Sequence, residues 1–276
     1  MFAGFDLSID RDSFEKSIIS NGKTFNDYFE IGREHLEVKK NICNKSLRNY
    51  TLNGVTDATK LKEGWFPSVK ADIFISHSHK DRELAIALAG WLYEKFNLEC
   101  FIDSCVWEHI DDLLDEINNK YSDKREDEDG VVYSHKKCNI ASAHVNMILN
   151  SALQRMIDNT EAVFLINTPN SIERYSETYE NSTFSPWIYS EITCTEIIRM
   201  KSLSEYREQY IIEHSEIYDS DQLQMEYEVS LDHLNKLECC NLIKWKTNWS
   251  KVKNKTYKYS LDELYKIIYH DKFKKK

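Results

Sequence analysis

Short apolar runs alternate with helical periodicities along most of this chain of 276 residues. Three runs rich in β-forming residues, at 72–76, 98–103 and 161–169, predict buried parallel strands. Apolar residues at helical spacing follow the first run and precede the third, as in β-α-β units. The pattern therefore predicts an α/β protein with a doubly wound parallel sheet, whose ligands bind outside the carboxyl ends of the strands.

The alternation continues toward the C-terminus. Apolar positions recur at helical spacing over 188–198, and residues 261–269 predict a last helix. Between them, the run 231–247 predicts a helix followed by a strand, and residues 210–214 predict a further strand. These elements extend the predicted sheet to about five strands.

Two parts of the chain, residues 1–70 and residues 123–130, lack the alternating pattern. Residues 1–70 carry polar, helix-compatible segments and end in a stretch punctuated by glycine and proline. We therefore expect a mostly helical N-terminal extension, followed by one main domain of residues 71–276. The charged residues 123–130 lack apolar periodicity and predict a solvated loop, within an insertion at about 111–142.

Composition narrows the classes of function. The net charge of -10 opposes contact with a phosphate backbone, so we expect no nucleic-acid binding. The apolar run 85–93 is about half as long as the roughly 20 residues of a membrane-spanning helix, and the N-terminus lacks the pattern of a secretory signal. Seven cysteines without a CxxC pair indicate reduced thiols. These features predict a cytoplasmic protein that contacts no membrane.

The segment SHSHKD follows the first predicted strand and leads into a helix. Lys80 and Arg82 place positive charge at that helix start, where a diphosphate would be favoured, although Ser78 and Asp81 are also ordinary capping residues. HSHKD has the order of ligands found in di-zinc hydrolases. That family continues with a further His where this chain has Arg82. Metal binding is therefore kept only as an alternative.

The second predicted strand ends at Asp103, with Trp107 close behind it. Trp107 would either stack on a ring of a ligand or belong to an apolar helix face. That face would also contain Ile110, Leu113, Leu114 and Ile117. Neither GxGxxG nor GxxxxGK occurs in the chain, so a nucleotide would have to be bound by other means.

The segment SPWIYSE places an aromatic ring and a carboxylate on one helix face. Pro186 favours a helix start with Ser185 as its N-cap, and Trp187 and Glu191 are then one turn apart. Cleavage of the bond between nicotinamide and ribose in NAD builds positive charge on the ribose, which a carboxylate stabilises. Nicotinamide leaves as a neutral molecule, so one carboxylate suffices. A purely structural role for both residues is the alternative.

Together these segments resemble the Toll/interleukin-1 receptor (TIR) domains, in particular their enzymatic bacterial and plant-type members. DIFISHSHKD is similar to the first strand and loop of that family, FID is similar to its second strand, and SPWIYSE matches its SxWxxxE pattern. The resemblance spans about residues 70–270. It implies a flavodoxin-like sheet of about five parallel strands.

The resemblance also implies roles for individual residues. Glu191 would be the catalytic carboxylate, and Trp187 would form part of the pocket wall. His77 takes the place where many relatives have an aromatic residue after the first strand. The expected substrate-binding set is Ser76, His77, Asp103, Trp107, Ser185 and Trp187. NAD would be the substrate rather than a bound cofactor, and no metal would be required.

The function implied is that of an NAD glycohydrolase or ADP-ribosyl cyclase. Stand-alone TIR proteins of this kind resemble the components of bacterial antiphage systems of the Thoeris type, in which an ADP-ribose-derived signal reaches a downstream effector. Active relatives self-assemble through a loop after the second strand. Here that loop, FIDSCVWEHIDD, lacks the usual glycine. A non-catalytic TIR adaptor is therefore the second hypothesis, and a di-zinc hydrolase is the third.

Overall fold

A five-stranded parallel sheet forms the centre of the computed structural model. The strands are β1 (Ala3–Ser8), β2 (Ile73–Ser76), β3 (Cys100–Phe101), β4 (Ala162–Asn167) and β5 (Asn235–Glu238). They lie in the order β5-β1-β4-β2-β3, and all neighbouring strands are parallel. The structure describes residues 1–19, 22–41, 47–52, 55–107, 110–127, 130–174, 180–207, 227–253, 255 and 259–269.

Helices and short strand pairs surround this sheet. The main helices are α1 (Phe25–Lys40), α2 (Ala58–Trp65), α3 (Arg82–Phe96), α4 (Ile110–Tyr121), α5 (His135–Asn159), α6 (Pro186–Ile197), α7 (Cys239–Lys251) and α8 (Ser260–Ile268). Shorter helical turns lie at Arg11–Ser13, Phe14–Ile18, Leu47–Tyr50, His79–Asp81, Asp103–Val106 and Leu203–Arg207. Antiparallel pairing joins Thr51–Leu52 to Val55–Thr56, Arg125–Asp127 to Gly130–Val132, and Asn181–Thr183 to both Glu173–Arg174 and Tyr227–Glu228.

The main helices divide between the two faces of the sheet. Helices α1 and α7 both pack against α3, and α8 packs against α7, so we call this side the α3 face. Helices α2, α4 and α6 pack against α5 on the opposite side, the α5 face. Right-handed crossovers explain the positions of α1 and α3 on one face and of α4, α5 and α6 on the other. Helix α2 crosses to the α5 face within the connection that contains α1, and α7 and α8 follow the last strand. The connections from β1 to β2 and from β2 to β3 run toward one edge of the sheet, whereas those from β3 to β4 and from β4 to β5 run toward the other.

The predicted α/β class and parallel sheet are confirmed. The apolar runs at 72–76, 98–103 and 161–169 contain β2, β3 and β4, and every residue of β2 and β4 is buried. Burial is complete because helices cover both faces, which is why these strands are continuous apolar runs. The order β3-β2-β4 matches one side of a flavodoxin-like sheet.

The N-terminal segment is not an extension, and that prediction is wrong. Strand β1 lies inside the sheet, between β5 and β4, with Phe5 opposite Phe164. Its sequence AGFDLS was inconspicuous because Gly4 and Asp6 are poor strand formers. Asp6 is nevertheless fully buried. The main fold therefore begins with the first residues of the chain.

The predicted order of elements at 231–247 is also wrong, because strand β5 precedes helix α7. β5 is an edge strand in which only Leu237 is buried, so it lacks the continuous apolar run of an inner strand. The helices predicted over 188–198 and 261–269 are confirmed as α6 and α8. The strand predicted at 210–214 lies outside the described residues.

The segment 111–142, predicted as an insertion, contributes to the main fold. It contains most of α4, which packs against α5 and buries Leu113 completely. The charged stretch 123–130, predicted as a loop, takes part in the short antiparallel pair that follows α4. A helix and a strand pair therefore occupy this region.

Helices α1 and α3 approach each other closely through two glycines. A Cβ atom on Gly32 would lie 2.0 Å from the carbonyl oxygen of Ile86, and one on Gly90 would lie 2.0 Å from that of Tyr28. Such distances are far shorter than van der Waals contact, so neither position has room for a side chain. The contact fixes α1, which belongs to the first 70 residues, tightly against the α3 face.

We predict that Gly32→Ala destabilises the protein by roughly 1–3 kcal/mol, because the added methyl group forces α1 away from α3. Helix propensity alone would act the other way, since alanine favours a helix by about 1 kcal/mol over glycine. Urea unfolding measures the difference. Glu34→Ala, on the exposed side of the same helix, is the control and should change the free energy of unfolding by less than about 0.5 kcal/mol. A Gly32→Ala protein as stable as the wild type would contradict the close contact.

Candidate active site

The candidate site lies at the carboxyl end of β2. The connection after β2 passes to the α3 face, whereas the connection after the neighbouring strand β4 passes to the α5 face. Where two adjacent parallel strands continue to opposite faces, their loops separate and leave a crevice. Ser76 is the last residue of β2, and Glu191 of α6 reaches it from the α5 face.

Local sequence sets the direction in which Glu191 points. Helix α6 begins with Pro186, and the hydroxyl oxygen of Ser185 caps it by accepting a hydrogen bond from the backbone nitrogen of Ile188 at 3.3 Å. Ile188 and Ile192 are buried in one apolar cluster with Leu165 of β4. Because Glu191 lies on this inner side of the helix, the packing turns its carboxyl group toward the sheet.

Glu191 and Ser76 form a buried hydrogen bond. The Ser76 hydroxyl donates to Oε2 of Glu191 at 2.5 Å, and the two residues are 2% and 5% exposed. Burial raises the pKa of Glu191 well above its usual range, the charge of Asp103 raises it further, and the Ser76 hydrogen bond opposes the shift. The closed structure therefore favours the protonated carboxyl group.

His77 adjoins this pair and is also buried. Its Nε2 atom is hydrogen-bonded to the Ser104 hydroxyl at 3.0 Å, and its Nδ1 atom has no hydrogen-bond partner. Burial lowers the pKa of His77, while the charge of Asp103 acts in the opposite direction. Asp103 thus influences both His77 and Glu191. These three titratable groups and Ser76 form one electrostatic cluster at the ends of β2 and β3.

The remaining predicted residues divide between the site and the core. Trp187 lies one turn before Glu191 and is half-buried against the core. Trp107 is only 5% exposed and packs edge-on against Phe66 and Phe101, at 5.6 and 4.7 Å between ring centroids. Trp107 is therefore a core residue, although it lies outside α4 and so is not part of the helix face that was the alternative interpretation. The Ser185 oxygen is engaged in capping α6 rather than turned to a ligand.

The residues of HSHKD diverge instead of converging on a metal. His77 contacts Ser104, His79 is exposed, and Asp81 accepts hydrogen bonds from residues of the loop after β4. Within the described ranges, no group of three His, Cys, Asp or Glu side chains is arranged to hold a metal ion. The geometry gives the di-zinc hypothesis no support.

Asp81 connects the two loops that border the crevice, a contact that the sequence did not indicate. Its carboxylate accepts from the Thr168 hydroxyl at 2.5 Å and from the Asn170 amide at 2.8 Å. Asp81 stands at the N-cap of α3 but makes no side-chain capping bond to that helix. Thr168 lies at the end of the third predicted strand and Asn170 directly follows it, so inspection of strand ends would have found them.

The site is closed in this structure. Glu191 lines none of four cavities that the described residues form. Segments 77–81 and 103–107 follow β2 and β3 at this end of the sheet. Glu191 is only 5% exposed, so a ligand would reach its carboxyl group only after residues around it move.

No family model matches this chain, and neither a curated protein nor a solved structure matches it.

Among the helices that the structure describes, none has the length and apolar character to cross a membrane.

We predict that Glu191→Gln becomes more stable relative to the wild type as pH rises from 5 to 9. A carboxyl group whose pKa is raised by folding stabilises the folded state below its unfolded pKa, and this stabilisation is lost as pH rises through the folded pKa. Glutamine keeps an acceptor for Ser76 and does not titrate. Urea unfolding at several pH values measures the difference, with exposed Glu196→Gln as the control. Parallel pH profiles for the wild type and Glu191→Gln would contradict the raised pKa.

Proposed function

We propose that this protein is an NAD-cleaving enzyme of the TIR type, which releases nicotinamide and forms an ADP-ribose-derived product. The observation that carries the proposal is the buried Glu191 carboxyl group, hydrogen-bonded to Ser76 at the carboxyl end of a central strand. Perturbed titratable groups in such a position are typical of catalytic sites. The cluster with His77 and Asp103 adds to this support.

Ionisation of Glu191 would accompany substrate binding. The nicotinamide ring of NAD is cationic, and a cation next to a carboxyl group lowers its pKa. The burial that favours the protonated form in the free protein then strengthens attraction between the carboxylate and the positive charge that develops on the ribose. The Ser76 hydrogen bond orients the carboxylate throughout. Because nicotinamide leaves as a neutral molecule, the site needs no general acid.

Neighbouring residues have distinct roles in this proposal. Trp187 would form a wall beside the pyridinium ring, where cation–π attraction is strongest in the absence of water. His77, neutral because of its burial, would offer its unpartnered Nδ1 atom to a hydroxyl or amide group of the substrate. Water would attack the ribose in a hydrolase, whereas a group of the same substrate would attack it in a cyclase.

The closed site implies that activity depends on a trigger. Self-assembly through TIR surfaces would supply one, by moving residues that enclose Glu191. The product would then act on a downstream effector, as in bacterial antiphage defence of the Thoeris type. This part of the proposal rests on the resemblance of DIFISHSHKD and SPWIYSE to TIR domains.

We predict that Glu191→Gln lowers the rate of nicotinamide release from NAD by about 100-fold or more, because the variant cannot carry the negative charge. Chromatography of the products over time measures the rate, with crowding agents or lysate from phage-infected cells as triggers. The matched control is Glu196→Gln on the exposed side of the same helix, which should retain wild-type activity. Undiminished release by Glu191→Gln would contradict the assignment.

We also predict that kcat/KM for NAD rises with pH through a midpoint above the ordinary range of a glutamate. The pH profile of kcat/KM reports the ionisation of groups in the free enzyme, and the pKa of Glu191 is raised there. Steady-state rates from pH 4 to 9 measure the midpoint. An acid limb at the usual glutamate pKa would indicate that the active form is already open.

A non-catalytic assembly module is the second candidate function. The enclosure of Glu191 favours it, since the hydrogen bond to Ser76 also connects α6 to the sheet in a purely structural way. On this hypothesis the wild-type protein releases no nicotinamide under any trigger. Oligomers seen by light scattering would then persist in Glu191→Gln, because the glutamine preserves the contact with Ser76.

A further inference from the structure

A second crevice opens between the carboxyl ends of β1 and β4. The connection after β1 passes to the α3 face, and the connection after β4 passes to the α5 face, so the loops of this adjacent pair also separate. A cavity of about 610 Å³ lies at this point. Its lining comes from Ser8, Ile9, Asp10, Ser13, Asn167, Thr168, Pro169, Ile172, Glu173 and Arg174. Topology and shape thus independently mark a place where a ligand of moderate size would fit.

A buried carboxylate orients one residue of this lining. Asp6, fully buried in the middle of β1, accepts a hydrogen bond from the Asn167 amide nitrogen at 2.7 Å and another from the Lys236 ammonium group. The Asn167 nitrogen gives one of its two N–H groups to Asp6, and the Asn167 carbonyl oxygen remains as an acceptor for a ligand in the cavity. Asn167 itself is 7% exposed, so its orientation is fixed by the interior.

The presence of Asp6 in an inner strand calls for an explanation. A buried charge requires partners to offset the loss of hydration, and an apolar residue would fill an inner strand position more simply. Here the partners are Asn167 on one neighbouring strand and Lys236 on the other. The arrangement has a clear result, since it fixes the side chain of Asn167, a residue of the cavity lining.

We propose that this cavity binds the vicinal diol of a ribose, either as a free sugar or as part of a nucleoside. The lining offers as acceptors the Asn167 carbonyl oxygen and the exposed carboxylates of Asp10 and Glu173, although one Asp10 oxygen already accepts from the Ser13 backbone nitrogen. These two carboxylates outnumber the one cation of the lining, Arg174, so the charge of the cavity is negative. Carboxylates accept hydrogen bonds from sugar hydroxyls and repel phosphate. Ile9 and Ile172 add an apolar wall for the sugar or base. The site does not use Glu191, so it is independent of the proposed NAD cleavage.

Adenosine, 2′-deoxyadenosine and D-ribose are the probes for this site. Isothermal titration of the full chain should show that adenosine binds, and that 2′-deoxyadenosine, which lacks half of the diol, binds at least tenfold more weakly. D-Ribose distinguishes the two sources of the diol. If it binds as tightly as adenosine, the ligand is a free sugar, whereas weaker binding indicates a nucleoside. No binding of adenosine or ribose at millimolar concentration, or equal binding of the two nucleosides, would overturn the proposal.

Variants locate the binding in this cavity. Glu173→Gln, at the exposed rim, should weaken the binding of the tighter probe roughly tenfold, whereas exposed Glu180→Gln, outside the cavity lining, should leave it unchanged. Asn167→Ala should abolish binding, and circular dichroism checks that this variant folds. Glu191→Gln should bind as the wild type does, which separates this site from the candidate active site. Unaltered binding by Glu173→Gln and by folded Asn167→Ala would show that the probe binds elsewhere.

Discussion

The position of β4 in the sheet is the constraint on which the rest of the structure depends. Its connection leaves toward the α5 face, whereas both of its neighbours, β1 and β2, continue to the α3 face. Right-handed crossovers force this difference once the strand order is fixed. Loops therefore separate on both sides of β4, and both candidate sites follow from that separation. One site contains Ser76 and Glu191, and the other contains Asn167.

Both sites also show how the fold accommodates a buried acid. Glu191 has one hydrogen-bond donor, Ser76, and lies near the negative charge of Asp103, so it favours the neutral form. Asp6 accepts from an amide and from an ammonium group, and these partners offset the burial of its carboxyl group. The difference lies in the partners rather than in burial, since both carboxyl groups are almost inaccessible. Glu191 is thus the group whose charge a cationic ligand would change.

The sequence predicts much of the sheet but little of its N-terminal part. Strands β2 and β4 are recognisable because helices cover both faces and make every position apolar. Strand β1 is equally inner, yet the polar Asp6 interrupts its pattern, and the partners that make Asp6 acceptable lie about 160 and 230 residues away in the chain. No local pattern reveals such pairing. Edge strand β5 was misplaced for a different reason, because only Leu237 is buried there.

The sequence predicts which residues form the candidate active site, but it does not predict how deeply they are buried or which residues they contact. SPWIYSE specifies the helix start, the cap at Ser185 and the position of Glu191 one turn after Trp187, because each depends on neighbours within a few residues. The contact with Ser76 joins residues 115 positions apart, and the burial of Trp107 depends on Phe66. Whether a ring lines a pocket or fills the core is decided by such distant contacts.

The two crevices flank a single loop, which begins at Thr168 and is held by Asp81 from the loop after β2. Thr168 lines the second cavity and donates to Asp81, so it contacts both regions. If Thr168 were displaced, Asp81 would still accept the hydrogen bond from Asn170. The loop after β4 therefore connects the two crevices physically, while each crevice is lined by side chains of its own.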